Sequence, residues 1–117
     1  MNEVNQERLI LKTSGRFVFV MMDEIDWMKA EGNYVRIYRG KERYLIRDTL
    51  ASMETRLDKS RFVRINRSVI VNIERIRELK SFRPYGIKVV LENEKCWNWG
   101  RRYRSNLDDL MRRFRSS

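Results

Sequence analysis

Histidine is absent from this sequence, and cysteine and proline each occur once, as Cys96 and Pro84. Without histidine, a nucleophile–histidine pair cannot form and metal ligation by His and Cys is close to excluded. A single cysteine cannot close an internal disulfide, which fits a reducing compartment. Cys96 lies in an apolar, aromatic run and reads as a buried structural thiol rather than a reactive one. One proline suits a compact domain with short turns. No stretch is long and apolar enough to span a bilayer, and the opening residues 1–8 are polar and acidic, unlike a secretory signal. The expectation is a cytoplasmic protein with no membrane partner, no metal and no cofactor. Asp23, Glu24 and Asp26 are the nearest approach to an acidic site, but no further ligand converges on them, so an enzyme is not expected.

Positive charge is abundant. Lys and Arg number 26 against 16 Asp and Glu, a formal net charge of +10, and 36% of residues are charged. Such an excess raises affinity for polyanions through counterion release; the alternative is a solvated basic surface without a partner. The 117 residues, 42% of them hydrophobic, suffice for one domain with one modest core.

Residues 1–7 read as a disordered lead or linker remnant, and 8–117 as the domain. Arg8 to Thr13 is a short strand ended by the turn signal Ser14-Gly15. Phe17 to Met22 is apolar on both faces, which predicts a central strand or strand core. A strand over Ile25 to Glu31 reverses at Gly32-Asn33, residues that tolerate positive φ. Strands follow over Tyr34–Arg39 and Glu42–Arg47, joined at Gly40-Lys41. The period then changes. Leu50, Met53 and Leu57 recur at helical spacing, with Asp48 or Thr49 available as N-cap. Strands resume at Phe62, and Ile76 and Leu79 extend the apolar pattern. Pro84-Tyr85-Gly86 reads as a turn, Ile87–Leu91 as a strand, and Lys95–Trp99 as the last strand. Tyr103, Leu107, Leu110, Met111 and Phe114 form one stripe of an amphipathic C-terminal helix expected to pack on the strands. Arg75, Arg77, Lys80 and Arg83 read as a basic solvated face. Many short strands, one inserted helix and one terminal helix make a mainly β domain of stacked antiparallel sheets or an open barrel.

The most informative stretch is Phe62-Val63-Arg64-Ile65-Asn66-Arg67-Ser68-Val69-Ile70-Val71-Asn72. Two strand-like runs flank the polar turn Asn66-Arg67-Ser68. The turn gathers a guanidinium, an amide and a hydroxyl, a combination suited to a phosphodiester backbone with base edges beside it.

In this order and with these gaps, several segments together resemble the LytTR DNA-binding domain of bacterial transcription regulators. They are the apolar run Phe17 to Ile25, Glu31-Gly32-Asn33-Tyr34-Val35, the helix start Thr49-Leu50 with its end at Leu57, and the 62–72 motif. The resemblance runs from near Arg8 to Phe114. It implies an elongated fold of about ten strands in stacked sheets, and loops that enter successive major grooves of double-stranded DNA. It further implies bending of the DNA and imperfect direct repeats bound by two protomers. Family members often carry a receiver domain, making this a response regulator output domain; no receiver is found in this sequence. Two positions depart from the family. Asn66 stands where histidine is frequent, and Gly100 where a serine usually precedes the arginine.

The resemblance implies three contact places. Asn33, at the first turn, is expected to reach a base edge, the alternative being a plain hairpin turn. At the second, Arg67 is expected to reach a base edge, since a bidentate arginine matches guanine O6 and N7, while Arg64, Asn66 and Ser68 hold the backbone. A surface ion pair is the alternative for Arg67, and a structural role the alternative for Asn72. At the third, Arg101 is expected at a base, with Arg102 and Arg104 on the backbone. Arginines opening a helix sit badly with its dipole unless an anion lies nearby. Trp27, Trp97, Trp99, Tyr34, Tyr38 and Phe62 read mainly as core or flank. If the tryptophans instead stack on unpaired bases, the protein is a single-stranded RNA- or DNA-binding β-module. A third reading is an interaction or anionic-membrane module without nucleic-acid specificity.

Overall fold

The computed structural model describes residues 8–84 and 86–115. The lead over residues 1–7 and Tyr85 of the expected 84–86 turn lie outside them. Ten strands, two α-helices and three short 3-10 turns follow one another along the described residues. The strands are β1 (Arg8–Thr13), β2 (Arg16–Met21), β3 (Trp27–Glu31), β4 (Tyr34–Arg39), β5 (Glu42–Ile46), β6 (Phe62–Asn66), β7 (Val69–Asn72), β8 (Ile76–Phe82), β9 (Gly86–Leu91) and β10 (Cys96–Asn98). Helix α1 (Leu50–Arg56) interrupts them and α2 (Arg104–Phe114) ends the domain. All pairings are antiparallel, in three sheets: β1-β2, β5-β4-β3-β7-β6 and β10-β9-β8.

The five-stranded sheet separates two cores. Adjacent residues of a strand point to opposite faces, and at β3 both faces are buried. Met28 joins Leu9, Leu11, Val20, Ile37 and Met53 beneath the β1-β2 ribbon and α1. Its neighbour Trp27 joins Ile65, Val71, Leu91, Trp99 and Leu107 beneath the β8–β10 sheet and α2. Trp27 also stacks on Tyr38, ring centroids 3.7 Å apart and 7° from parallel. The molecule is thus a stack of ribbon, sheet and sheet with helix, measuring 46 × 38 × 24 Å.

Local signals explain the turns. Ser14 and Gly15 both have positive φ, 48° and 76°, the requirement of a two-residue type I′ hairpin turn. Gly32 has φ 61° as the first of the two residues between Glu31 and its partner Tyr34, which fits a type II′ turn. Thr49 caps α1 by accepting the Ser52 N–H at 3.0 Å.

Four expectations need correction. Phe17 to Met22 is not central: β2 belongs to a two-stranded ribbon. Val20 and Met22 face the core, whereas Phe17 and Phe19 are 64% and 55% exposed. Lys12 and Arg8 lie over their rings, covering with aliphatic stems part of what a strand partner would cover. Cys96 is exposed, because on β10 the alternation turns Trp97 inward and Cys96 and Asn98 outward. The helical stripe is only half used. Leu107 and Leu110 are buried, but Met111 and Phe114 are 41% and 61% exposed. The last turn is held instead by Arg113, which donates to the carbonyls of Ser60 and Lys59. Finally, Arg75 and Arg77 are not simply solvated. Arg75 donates to Asp26 at 2.7 Å and to the Asp23 carbonyl, and Arg77 bridges Glu94 and Glu78.

Candidate nucleic-acid interface

The β6–β7 turn is built around a bulge. Arg64 pairs with Ile70 and Asn66 with Val69, so Ile65 has no partner across the ladder. A bulged residue leaves its backbone groups for other uses. Here the Ile65 carbonyl accepts the Gly100 N–H at 2.7 Å. The Asn66 amide works in both directions, donating to the Asn98 carbonyl at 3.0 Å and accepting the Ser68 N–H at 2.7 Å. The second bond is an Asx turn that shapes the tip. Gly100 packs so closely here that a Cβ would lie 3.2 Å from Asn66 Cβ and 3.3 Å from the Tyr103 ring. The segment opening α2 is thereby joined to the β6–β7 turn.

Arg64 acts inside this joint. Its side chain is only 14% exposed and pairs with Glu54 at 3.1 Å. It donates to the carbonyls of Arg67, 2.7 Å, and Asn66, 3.3 Å, and its guanidinium lies over the Tyr103 ring at 5.2 Å. Asn106 of α2 donates to the Arg64 carbonyl, and the Trp99 indole donates to the Tyr103 carbonyl. Asn72 is buried and structural. It donates to the Ile25 carbonyl and accepts the Glu74 N–H.

Arg67 and Ser68 stay exposed at the turn, and Arg101 and Arg102 stay exposed on the 3-10 turn Arg101–Tyr103. Arg104 is half-buried at the start of α2. The Gly32-Asn33 turn belongs to the same end of the sheet. Lys29 pairs with Val69, and the Ala30 N–H donates to the Ser68 carbonyl at 2.9 Å. The C-terminal end of β3, which enters that turn, therefore lies beside the N-terminal end of β7. The structure gathers Asn33, Arg67, Ser68, Arg101 and Arg102 toward one end, and sets Arg64 and Asn66 behind the tip as its supports.

One supporting pair escaped the sequence reading. Arg36 forks onto Glu31, Nε to Oε2 at 2.8 Å and Nη2 to Oε1 at 3.0 Å, and this hydrogen bonding holds the Glu31 carboxyl below its ordinary range. The carboxylate nearest the Asn33 turn is thus neutralised locally. The signal was available, since a two-residue turn after Glu31 makes Arg36 its diagonal cross-strand neighbour.

The family model of the LytTr DNA-binding domain matches residues 15–112. The chain belongs to this family. As a LytTr domain it is a DNA-binding domain of the kind used in transcription regulation. The sensory transduction protein LytT of Bacillus subtilis (strain 168) is 26% identical over 110 residues, covering 94% of this chain and 46% of that protein. The heme-containing CO-sensing transcriptional regulator RcoM 2 of Paraburkholderia xenovorans (strain LB400) is 32% identical over 79 residues, 68% of this chain and 26% of that protein. The chain spans less than half the length of these relatives. A solved LytTr DNA-binding domain of a putative methyl-accepting/DNA response regulator from Bacillus cereus superposes with a TM-score of 0.78 at 20% identity, over 90% of this chain and 96% of that one. That likeness bears out the stacked-sheet architecture expected above.

Proposed function

We propose that this LytTr domain reads a specific duplex sequence in transcription control, with its loops in successive major grooves of a bent site. Arg67, Arg101 and Asn33 meet base edges. Ser68, Arg102 and Arg104 meet phosphates, and Arg64 and Asn66 serve those contacts by shaping the turn that carries Arg67. Two protomers on an imperfect direct repeat, and a receiver or other sensory domain as the source of the signal, complete this reading.

The observation that supports it best is the joint between Ile65, Asn66 and Gly100. Two arginine-bearing tips, far apart in sequence, share one hydrogen-bonded unit, and a preorganised unit loses little freedom on binding. The single-strand reading has less support, since two of the three tryptophans, Trp27 and Trp99, are 5% and 3% exposed and offer no face to a base, leaving only the half-buried Trp97.

Selection of bound sequences from a random duplex pool tests the proposal, and enrichment of a spaced repeat is expected. Gel-shift titration of the selected duplex against either of its strands should favour the duplex. Arg67→Ala should relax preference at one base position, costing about 1–3 kcal/mol. Arg102→Gln should weaken binding to every sequence and flatten the salt dependence by about one unit. Preference for single strands would overturn the reading.

A further inference from the structure

Across the five-stranded sheet, the end that holds Asn33 and Arg67 also holds a cation that the family resemblance did not assign. Arg47 directly follows β5. The β4–β5 register pairs Val35 with Ile46, so Arg47 stands beside Tyr34, the residue next to Asn33. Its guanidinium lies 5.9 Å from the centroid of the Tyr34 ring, within cation–π range. Arg47 is exposed and Tyr34 is 40% exposed. Among the described residues, no hydrogen bond or ion pair engages the Arg47 side chain. The adjacent acid does not compensate it either. Asp48 accepts the Thr49 N–H through Oδ1 and pairs with Arg56 through Oδ2.

The strand order places this arginine at the far corner of the interface. From β5 to the β6–β7 turn that carries Arg67 there are three to four inter-strand steps, about 14–19 Å at ~4.8 Å per step. A B-form major groove is about 12 Å wide. A row beginning at Arg47, passing Asn33 and ending at Arg67 therefore exceeds one groove and reaches the phosphates on its rim.

We propose that Arg47 is a phosphate-contacting residue at that rim, and that Tyr34 is its positioning residue, holding the guanidinium by its ring face. The inference rests on duplex DNA being the partner. Such a contact is independent of base sequence and extends the footprint beyond the bases read by Asn33.

Binding of the intact domain to an arbitrary duplex of about three helical turns, titrated over a range of salt, tests it. Arg47→Gln should bind severalfold more weakly, with a salt slope shallower by about 0.9. Arg47→Lys should restore most of the slope. Tyr34→Leu should imitate Arg47→Gln, and Tyr34→Phe should behave as the parent. An Arg47→Gln domain with the parent slope overturns the proposal, and so does a weaker one whose slope is unchanged, which marks a structural role. A neutral Tyr34→Leu overturns the part given to the ring. An Arg67→Ala/Arg101→Ala double variant separates the two readings. If it binds as the parent does, the interface itself is misplaced; if it binds poorly while Arg47→Gln is normal, only the Arg47 assignment falls.

Discussion

At Gly100 the chain has an ordinary φ of −72°, so backbone strain is not why a small residue suits the position. The reason is proximity to the backbone and side chain of Asn66 and to the Tyr103 ring. Gly100→Ala places a methyl group inside contact distance and pushes the Arg101 segment away from the Arg67 turn. The expected result is a loss of about 1 kcal/mol in stability, at the low end for overpacking, read by denaturant unfolding. Affinity for the selected duplex should fall by more than affinity for arbitrary DNA. The exposed tip residues Arg67 and Ser68 were legible in sequence because a polar turn between two strand-like runs must face solvent. The inward roles of Arg64 and Asn66 were not. They depend on a bulge at Ile65 and on a segment more than thirty residues away, and no local pattern announces either. Cys96 was misplaced for a similar reason, because an apolar neighbourhood in sequence does not say which way a strand alternates.

Helix α1 was readable down to its cap, since its apolar spacing and the preceding Thr49 belong to the same few residues. Thr49→Ala removes the acceptor of the Ser52 N–H and should cost about 1 kcal/mol, seen as a lower melting temperature with no change in DNA preference. The strands of the central sheet were legible through their turns, where Gly32 and Gly40 both take positive φ. What failed was the placing of elements that leave apolar surface uncovered. Phe17 and Phe19 imitate a central strand and yet lie outside, and α2 continues its apolar stripe past the core. A sequence shows which side chains are apolar; the number of layers available to cover them is settled by topology.

For the whole molecule, the absence of histidine has a direct consequence. Among the described residues, the carboxyls whose ionised forms the fold favours are Glu31, through Arg36, Glu42, through Tyr44 and Arg39, and Asp58, through Ser60. Their folded pKa values lie below the unfolded ones. The stability they contribute is therefore complete above the ordinary carboxylate range and is lost as pH falls through the depressed values. Melting temperature and duplex affinity at constant salt should both be flat between about pH 6 and 8, with melting temperature falling below about pH 4. A step in affinity near neutrality would contradict this. The septum formed by β3 has another implication. Trp27 and Met28 are covalent neighbours that fill separate compartments, and each is matched in bulk and shape to its own. Inserting or deleting one amino acid within Trp27–Glu31 would exchange the two sets of fillings at a stroke, setting an indole where a thioether fits and turning Lys29 into an interior. Single-codon length changes should thus be lethal to folding in this strand, whereas the same changes at the exposed Glu92-Asn93 bend between β9 and β10 should be far better tolerated, their cost confined to turn bonds such as that from the Glu92 N–H to the Arg75 carbonyl.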